Sequence, residues 1–403
     1  MTTPIQPSPR MKMKPFEFIT LSASTMILTA LGIDIMLPAF GEVRNHFGLA
    51  PESTATAQII VFFFLGQIAQ LVFGILSDRF GRLVILRIGF PLYIVSGIAA
   101  TFAPTLALMF AARFVSGVGA SAVFMTTIAS VRDRYVGDQM ARMMSLIFTF
   151  FLFTPIVAPF LGVAILSVST WQMVFLTPPL FALFVFIWSF RLEESHPPEN
   201  RTPLNWARVV QAIREVVSNR TFLRYTAITT ILFTGLSSYV SSSERIVGEI
   251  YGSPKLFPWI FAGIGLLMSL CALLNSRLSI RYGSKTSIRG LLMVYTLVGS
   301  VLLVLTFVRG GQPEIFLFFA AAAIMLGINL AIEPNSSALA LEPLGNTAGI
   351  ASAIYGTAFF FIGASLGSII SSLMVKSVFP LVVGFFVIGV LCLVLVFSDR
   401  RRG

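Results

Sequence analysis

Three ionisable side chains lie inside long apolar runs of this chain: Asp34, Arg113 and Glu333. A charge at the centre of a bilayer costs roughly 2.5–3.5 kcal/mol on insertion scales, so such residues persist where they have a partner or a job. Asp34 lies well along the first run. Arg113 lies about two helical turns into the fourth. If successive runs cross in alternating directions, both sit at comparable depth. Ala23, Ile27 and Ala30 share the helical face of Asp34. Apolar neighbours favour the protonated carboxyl, and a nearby guanidinium favours the carboxylate. That competition is the chemistry of a proton switch, with Arg113 as the tuning group. The alternatives are a permanent Asp34–Arg113 pair, or two unrelated residues facing a wet cavity. Glu333 precedes Pro334 near the end of its run and either faces a vestibule or caps a kink.

Hydroxyls form a second pattern. Thr226, Thr230, Thr234 and Ser238 recur every fourth residue, flanked by Ser237 and Ser241. Such a stripe either lines a cavity or bonds back to its own helix carbonyls; its length favours the cavity. Met26, Met36, Met109 and Met125, with many of the 39 Phe, could supply an adaptable apolar surface, although lipid contact or plain packing is the commoner use of such residues. The expected cavity residues are Met26, Ala30, Met109, Thr230, Thr234, Ser237, Ser238, Ser241 and Glu333.

Other chemistries lack their parts. Cys271 and Cys392 sit in apolar runs without a second Cys or His at ligand spacing, and His46 and His196 fall in loops, so no metal site or disulfide is expected. Gly283-Ser-Lys285-Thr is too short to cradle phosphate. Gly363-Ala-Ser365-Leu-Gly367 matches a nucleophile pattern but lacks the strand–turn–helix context and a histidine base. It belongs instead to a stripe of Gly349, Gly356, Gly363 and Gly367 that lets a helix pack closely. The chain is not expected to be an enzyme.

The elements that must position these residues follow from composition. Of 403 residues, 56% are apolar and 11% charged, with a mean hydropathy of +0.89; a soluble domain carries about a quarter charged residues. A soluble enzyme, a disordered regulator and a disulfide-stapled module are excluded. Twelve charge-poor stretches are long enough to cross ~30 Å of hydrocarbon: 16–38, 54–76, 84–102, 105–130, 141–166, 170–190, 222–243, 256–276, 289–308, 315–341, 347–373 and 378–397. Of 28 Lys and Arg, 22 fall on one side of these spans, so the positive-inside rule puts both termini in the cytoplasm. The net charge of +11 is therefore a topology signal and no nucleic-acid footprint.

A central loop divides the spans six and six. Thr202-Pro203 reads as a helix start, and Trp206, Val209, Val210, Ile213, Val216 and Val217 make an apolar stripe. That helix lies along the inner leaflet or is a plain soluble linker. Gly74-Ile-Leu-Ser-Asp78-Arg79-Phe80-Gly81-Arg82 and Ser276-Arg-Leu-Ser-Ile280-Arg281-Tyr282-Gly283-Ser284 lie 202 residues apart and share an Arg-aromatic-Gly core. The fold expected is all-α and polytopic: a six-helix bundle over 1–190, a linker over 191–220 and a second bundle over 221–403, as in secondary transporters with parallel repeats.

The first of those hairpins closely resembles the signature of the major facilitator superfamily. Arg113-Phe-Val-Ser-Gly117-Val-Gly119 resembles the helix-4 motif of its proton-coupled antiporters. Thr154-Pro155-Ile-Val-Ala158-Pro159-Phe-Leu-Gly162 resembles the helix-5 motif of its exporters. Asp34-Ile-Met-Leu37-Pro38, Val131-Arg132-Asp133-Arg134-Tyr135 and Trp171-Gln-Met-Val-Phe175 look like the bicyclomycin/chloramphenicol-resistance (Bcr/CflA) type of drug/proton antiporter. In the second half Pro334-Asn335 and the segment from Leu341 to Gly349 fit the same group. The resemblance implies that helices 1, 4, 7 and 10 line a central cavity and that two halves rock in alternating access. It also implies that Gly74, Asp78, Arg79, Gly81 and Arg82 form a latch in which Asp78 engages the start of helix 11 near Asn346 and Thr347. Ile280 stands where the second hairpin would carry its acid, so one strong latch is expected.

The function expected is proton-driven export of small amphipathic compounds, with Asp34 and Arg113 as the coupling residues and Pro155, Pro159 and Gly162 as the exporter motif. The rivals are a proton-coupled importer or facilitator, an intramembrane hydrolase at Ser365, and a receptor on a transporter fold. The expected partners are a small-molecule substrate, protons and the bilayer, with no cofactor beyond the proton gradient. A monomer in a bacterial-type inner membrane is expected.

Overall fold

Why the first span breaks can be read from one proline. Pro38 has no N–H, so the carbonyl of Asp34, four residues earlier, loses its helical partner. In the computed structural model, which describes residues 13–135, 137–201 and 206–398, α1 (Pro15–Asp34) ends at that residue. A short 3-10 turn (Leu37–Ala39) leads into α2 (Phe40–His46). The second span is likewise divided, into α3 (Ala57–Gly66) and α4 (Gln70–Phe80). There follow α5 (Arg82–Thr101), α6 (Leu106–Arg134), α7 (Gly137–Val168) and α8 (Trp171–Ser189). After the central loop come α9 (Trp206–Ser218), α10 (Arg220–Arg245), α11 (Phe257–Tyr282), α12 (Ser284–Val308) and α13 (Ile315–Leu341). The eleventh span is α14 (Ala348–Thr357), a π-helical segment (Ala358–Ile362) and α15 (Gly363–Leu373); α16 (Phe379–Phe397) is last.

Among the described residues eleven helical stretches are long and apolar enough to cross a membrane. The remaining expected span is α10, whose 26 residues have the length but carry too many hydroxyls to pass on hydropathy. Those hydroxyls are buried, so the helix is solvated by protein and not by lipid. The fold is an all-helical polytopic bundle. Before the central loop, α6 packs on α3 and α5, and α1 on α7; after it, α13 packs on α10, α11 and α12, and α16 on α12. Contacts between the two sets run through α7 with α11, α4 with α14, and α3 with α15.

The expected helix start at Thr202-Pro203 lies outside the described residues. From Trp206 onward α9 divides its apolar stripe: Val216 is buried, while Trp206 and Val210 are exposed, and the helix touches α10 and α14.

Candidate functional site

Asp34 stands at the broken end of α1. It is 5% exposed, and among the described residues no hydrogen bond or ion pair reaches its carboxyl. Arg113, on α6, is 1% exposed and does not pair with it. Its Nη2 donates to the Gly32 carbonyl at 2.6 Å and its Nε to the Ile59 carbonyl at 3.3 Å. The guanidinium also lies 4.5 Å from the centre of the Phe63 ring. The cation thus ties α6 to α1 and α3 through backbone, two residues before Asp34, and leaves the carboxyl unbonded. The permanent Asp34–Arg113 pair, one of the alternatives to the proton switch, is not formed, because the freed end of α1 offers Arg113 a carbonyl first.

The helix-4 glycines make that reach possible. A Cβ on Gly117 would stand 2.0 Å from the Phe63 carbonyl, so only glycine lets α6 lie so close to α3. The helix-5 motif meets the same break. A Cβ on Gly162 would stand 2.3 Å from the Ile35 carbonyl and 3.2 Å from Pro38, and Pro155 faces Gly265 of α11. Pro159 is buried within α7. One helix therefore touches both the Asp34 break and the other set of helices.

At the arginine-rich end, Arg82 organises the charges. Its Nη1 donates to Asp78 Oδ1 at 2.5 Å and to Ser77 Oγ at 2.8 Å, and its Nε to Asp133 Oδ2 at 2.9 Å. Among the described residues no bond joins Asp78 to the backbone near Thr347; its second oxygen faces Gly349, in the first turn of α14. Gly74 packs against Ala353 of that helix. A cavity of about 130 Å³ remains between Asp78, Arg82, Asp133, Gly349 and Ser352. The Arg79 guanidinium lies over the Phe80 ring, 5.1 Å from its centre.

From Thr234 to Ser241 the hydroxyl stripe of α10 forms a seam with the facing helix and with its own backbone, while the Thr226 and Thr230 hydroxyls have no partner among the described residues. Ser237 and Ser238 donate to the carbonyls of Gly363 and Gly367 at 3.3 and 2.9 Å. Thr234 and Ser241 bond back to Thr230 and Ser237. A Cβ on Gly367 would fall 2.1 Å from Ser237 Oγ. The physical reason is that glycines on the facing helix bring bare carbonyls within reach, and hydroxyls satisfy them. Ser365 bonds back to Phe361. Met26 and Met109 are fully buried, Ala30 nearly so. Glu333, half-buried, accepts from the Tyr355 hydroxyl at 3.4 Å.

The family model of the Major Facilitator Superfamily matches residues 22–245, more than half of the chain. The chain belongs to that superfamily. Over 371 residues it is 28% identical to the "Bicyclomycin resistance protein homolog" of Haemophilus influenzae, covering 91% of this chain and 92% of that one. It is 26% identical to the "Chloramphenicol resistance protein" of Pseudomonas aeruginosa, covering 94% and 90%. Among solved structures, the D-xylose-proton symporter matches with a TM-score of 0.71 at 14% identity, over 96% of this chain and 97% of that one. The human organic anion transporter MFSD10 matches at 0.67 with 16% identity, over 96% and 99%. These two likenesses concern the fold. As a superfamily member the chain is a multi-pass membrane transporter and not an enzyme.

Two features of this superfamily member escaped the sequence. Glu194, in the central loop, accepts from the backbone N–H of Arg82 and Leu83 at 2.9 and 3.1 Å, capping α5. Ser195 donates to Asp133 at 2.9 Å, and His196 Nε2 lies 3.2 Å from the Asp78 carbonyl. Gly81, at φ +98°, has no room for a Cβ beneath Glu194 and Arg201. At the opposite end, Arg44 of α2 grips Glu244 of α10 through two bonds of 2.9 Å, with Thr56 at 3.3 Å and Glu249 at 3.4 Å. Arg44 is 2% exposed, so the pair joins the two sets of helices largely out of contact with solvent. The scarcity of charge at that end was the one available signal.

Proposed function

We propose that this transporter exports small amphipathic compounds in exchange for protons, with Asp34 as the proton-carrying group. The observation that carries the reading is a buried carboxyl at a helix break, unpaired among the described residues, beside a cation already occupied by carbonyls. A group so placed can take up and give up a proton as solvent reaches it from either side, because no fixed counter-ion holds one state. Arg113 acts as a positioning residue for the end of α1. The exporter-type α7 touches that break through Gly162 and the other helices through Pro155, which gives proton occupancy a mechanical route to the interface. The resistance proteins among the relatives support drug-like substrates. One proton is worth ~2.3 kcal/mol per 100 mV, sufficient to concentrate a neutral compound.

In this reading residues 1–190 and 221–403 rock about the site, with both termini cytoplasmic in a bacterial inner membrane. The Asp78–Arg82–Asp133 cluster closes the inner end, and Arg44–Glu244 closes the outer. The single chain suffices, and no cofactor beyond the proton gradient takes part. The test is uptake of a compound panel, chloramphenicol included, into inverted vesicles. Accumulation should collapse on adding an uncoupler and be absent in Asp34→Asn at normal protein levels. Accumulation that survives both would remove Asp34 and the gradient from the mechanism.

A further inference from the structure

The helices around Glu333 carry a second, chemically distinct arrangement. Glu333 on α13 meets Tyr355 on α14 at 3.4 Å, and Thr229 of α10 and Ser337 of α13 adjoin the same hydroxyl. The Tyr355 ring lies parallel to Phe359, 8° apart with centroids at 6.4 Å. Phe359 in turn lies 4.3 Å from Phe233. Phe360 completes the group, edge-on to Phe233 at 5.3 Å and stacked with Phe64 of α3 at 5.9 Å. Phe359 and Phe360 sit in the π-helical segment and meet edge to face at 5.0 Å; such segments recur at functional sites. Thr226 and Thr230 share the Phe233 face of α10 and are at least nine-tenths buried. Their hydroxyls have no hydrogen-bond partner among the described residues.

A carboxylate beside several aromatic faces is the composition that recognises an organic cation, through charge attraction and the negative ring faces. The surroundings agree in sign. Away from the span ends, where Glu17 pairs with Arg191 and Glu244 with Arg44, the buried or half-buried acids among the described residues are Asp34 and Glu333, and the buried cation there, Arg113, is committed to Gly32, Ile59 and Phe63. Phe64 comes from the first set of helices and the other rings from the second, so relative movement of the two sets opens or closes the aromatic group. We propose that Glu333, Tyr355, Phe233, Phe359 and Phe360 form a recognition site for lipophilic organic cations, with the unpartnered Thr226 and Thr230 hydroxyls as polar contacts. The inference rests on the reading of the chain as an exporter of small compounds and names the class this site takes.

The experiment is equilibrium binding to purified full-length protein in detergent at mildly alkaline pH, corrected against empty micelles. The probes are tetraphenylphosphonium and tetraphenylborate, alike in shape and opposite in charge. Wild type should bind the cation about tenfold more tightly than the anion. Glu333→Gln should erase that preference by weakening the cation alone, Glu333→Asp should retain it, and Phe359→Leu should weaken the cation severalfold without affecting the anion. Equal affinities in wild type, or unchanged cation binding in Glu333→Gln, would overturn the proposal. Because no gradient is present, failure of proton exchange leaves this result untouched, and charge-blind binding leaves proton exchange intact.

Discussion

The two related hairpins solve one structural problem with different chemistry. In the first, Arg82 joins Asp78, Ser77 and Asp133. In the second, 202 residues on, Ser284 stands for Arg82, Asn335 for Asp133 and Ser279 for Ser77. The contacts persist without charge: Asn335 donates to Ser279 Oγ at 2.7 Å and to Asn275 Oδ1 at 3.1 Å, and Ser284 donates to Asn335 at 3.4 Å. Asn275 adds a bond to the Ala331 carbonyl at 2.7 Å. Both hairpins turn on a left-handed glycine, Gly81 and Gly283. Over the first, Glu194 occupies the helix start; over the second lies an open pocket of about 520 Å³ lined by Gly283, Ser284, Lys285 and Glu342. A charged cluster holds sharply and lets go sharply when a partner moves, because an unpaired buried charge is costly. A neutral amide network holds its helices in one arrangement. On the proposed rocking mechanism the first hairpin is the moving latch and the second a fixed joint.

Three substitutions rank the two hairpins. Arg82→Ala should have the largest effect, since it removes the shared partner of two carboxylates, of which Asp78 is half exposed: of the order of 2 kcal/mol against the closed inner end, read as a severalfold to tenfold loss of efflux. Full efflux in that variant would mean the charges are ornamental. Asn335→Ala should cost about 1–2 kcal/mol of thermal stability in detergent with efflux largely kept; a transport defect without a stability defect would make the second hairpin a latch as well. Ile280→Asp should do least. Ile280 is 88% exposed, and Ser284 offers its carboxylate no guanidinium. Stability should stay within about ±0.5 kcal/mol and efflux should be unchanged; a several-fold change in efflux would restore functional symmetry between the hairpins.

Local pattern and distant contact differ in how readable they are. The spans were legible because a bilayer imposes length and hydropathy on each segment separately. The break at Asp34 was half-legible, as Pro38 is four residues away, and the close approach of Gly363 and Gly367 followed from their spacing. The placing of Ser237 and Ser238 on the facing helix was not legible, because a stripe facing water and a stripe facing bare carbonyls have the same period; only the facing helix decides. Glu194 and the Arg44–Glu244 pair depend on segments 112 and 200 residues apart, and no local regularity announces them. The π-helical segment was invisible for a related reason: seven residues separate Gly356 from Gly363, yet Gly356 faces Gln70 of α4 and Gly363 faces α10.

The account turns on whether Asp34 carries the proton. Protein reconstituted into liposomes, given an outward gradient of whichever panel compound wild-type vesicles accumulate best and no initial pH difference, should move protons as the compound flows. An interior pH dye reads this directly. Asp34→Asn should pass no compound-driven protons while wild type does; proton movement of wild-type size in that variant would contradict the mechanism.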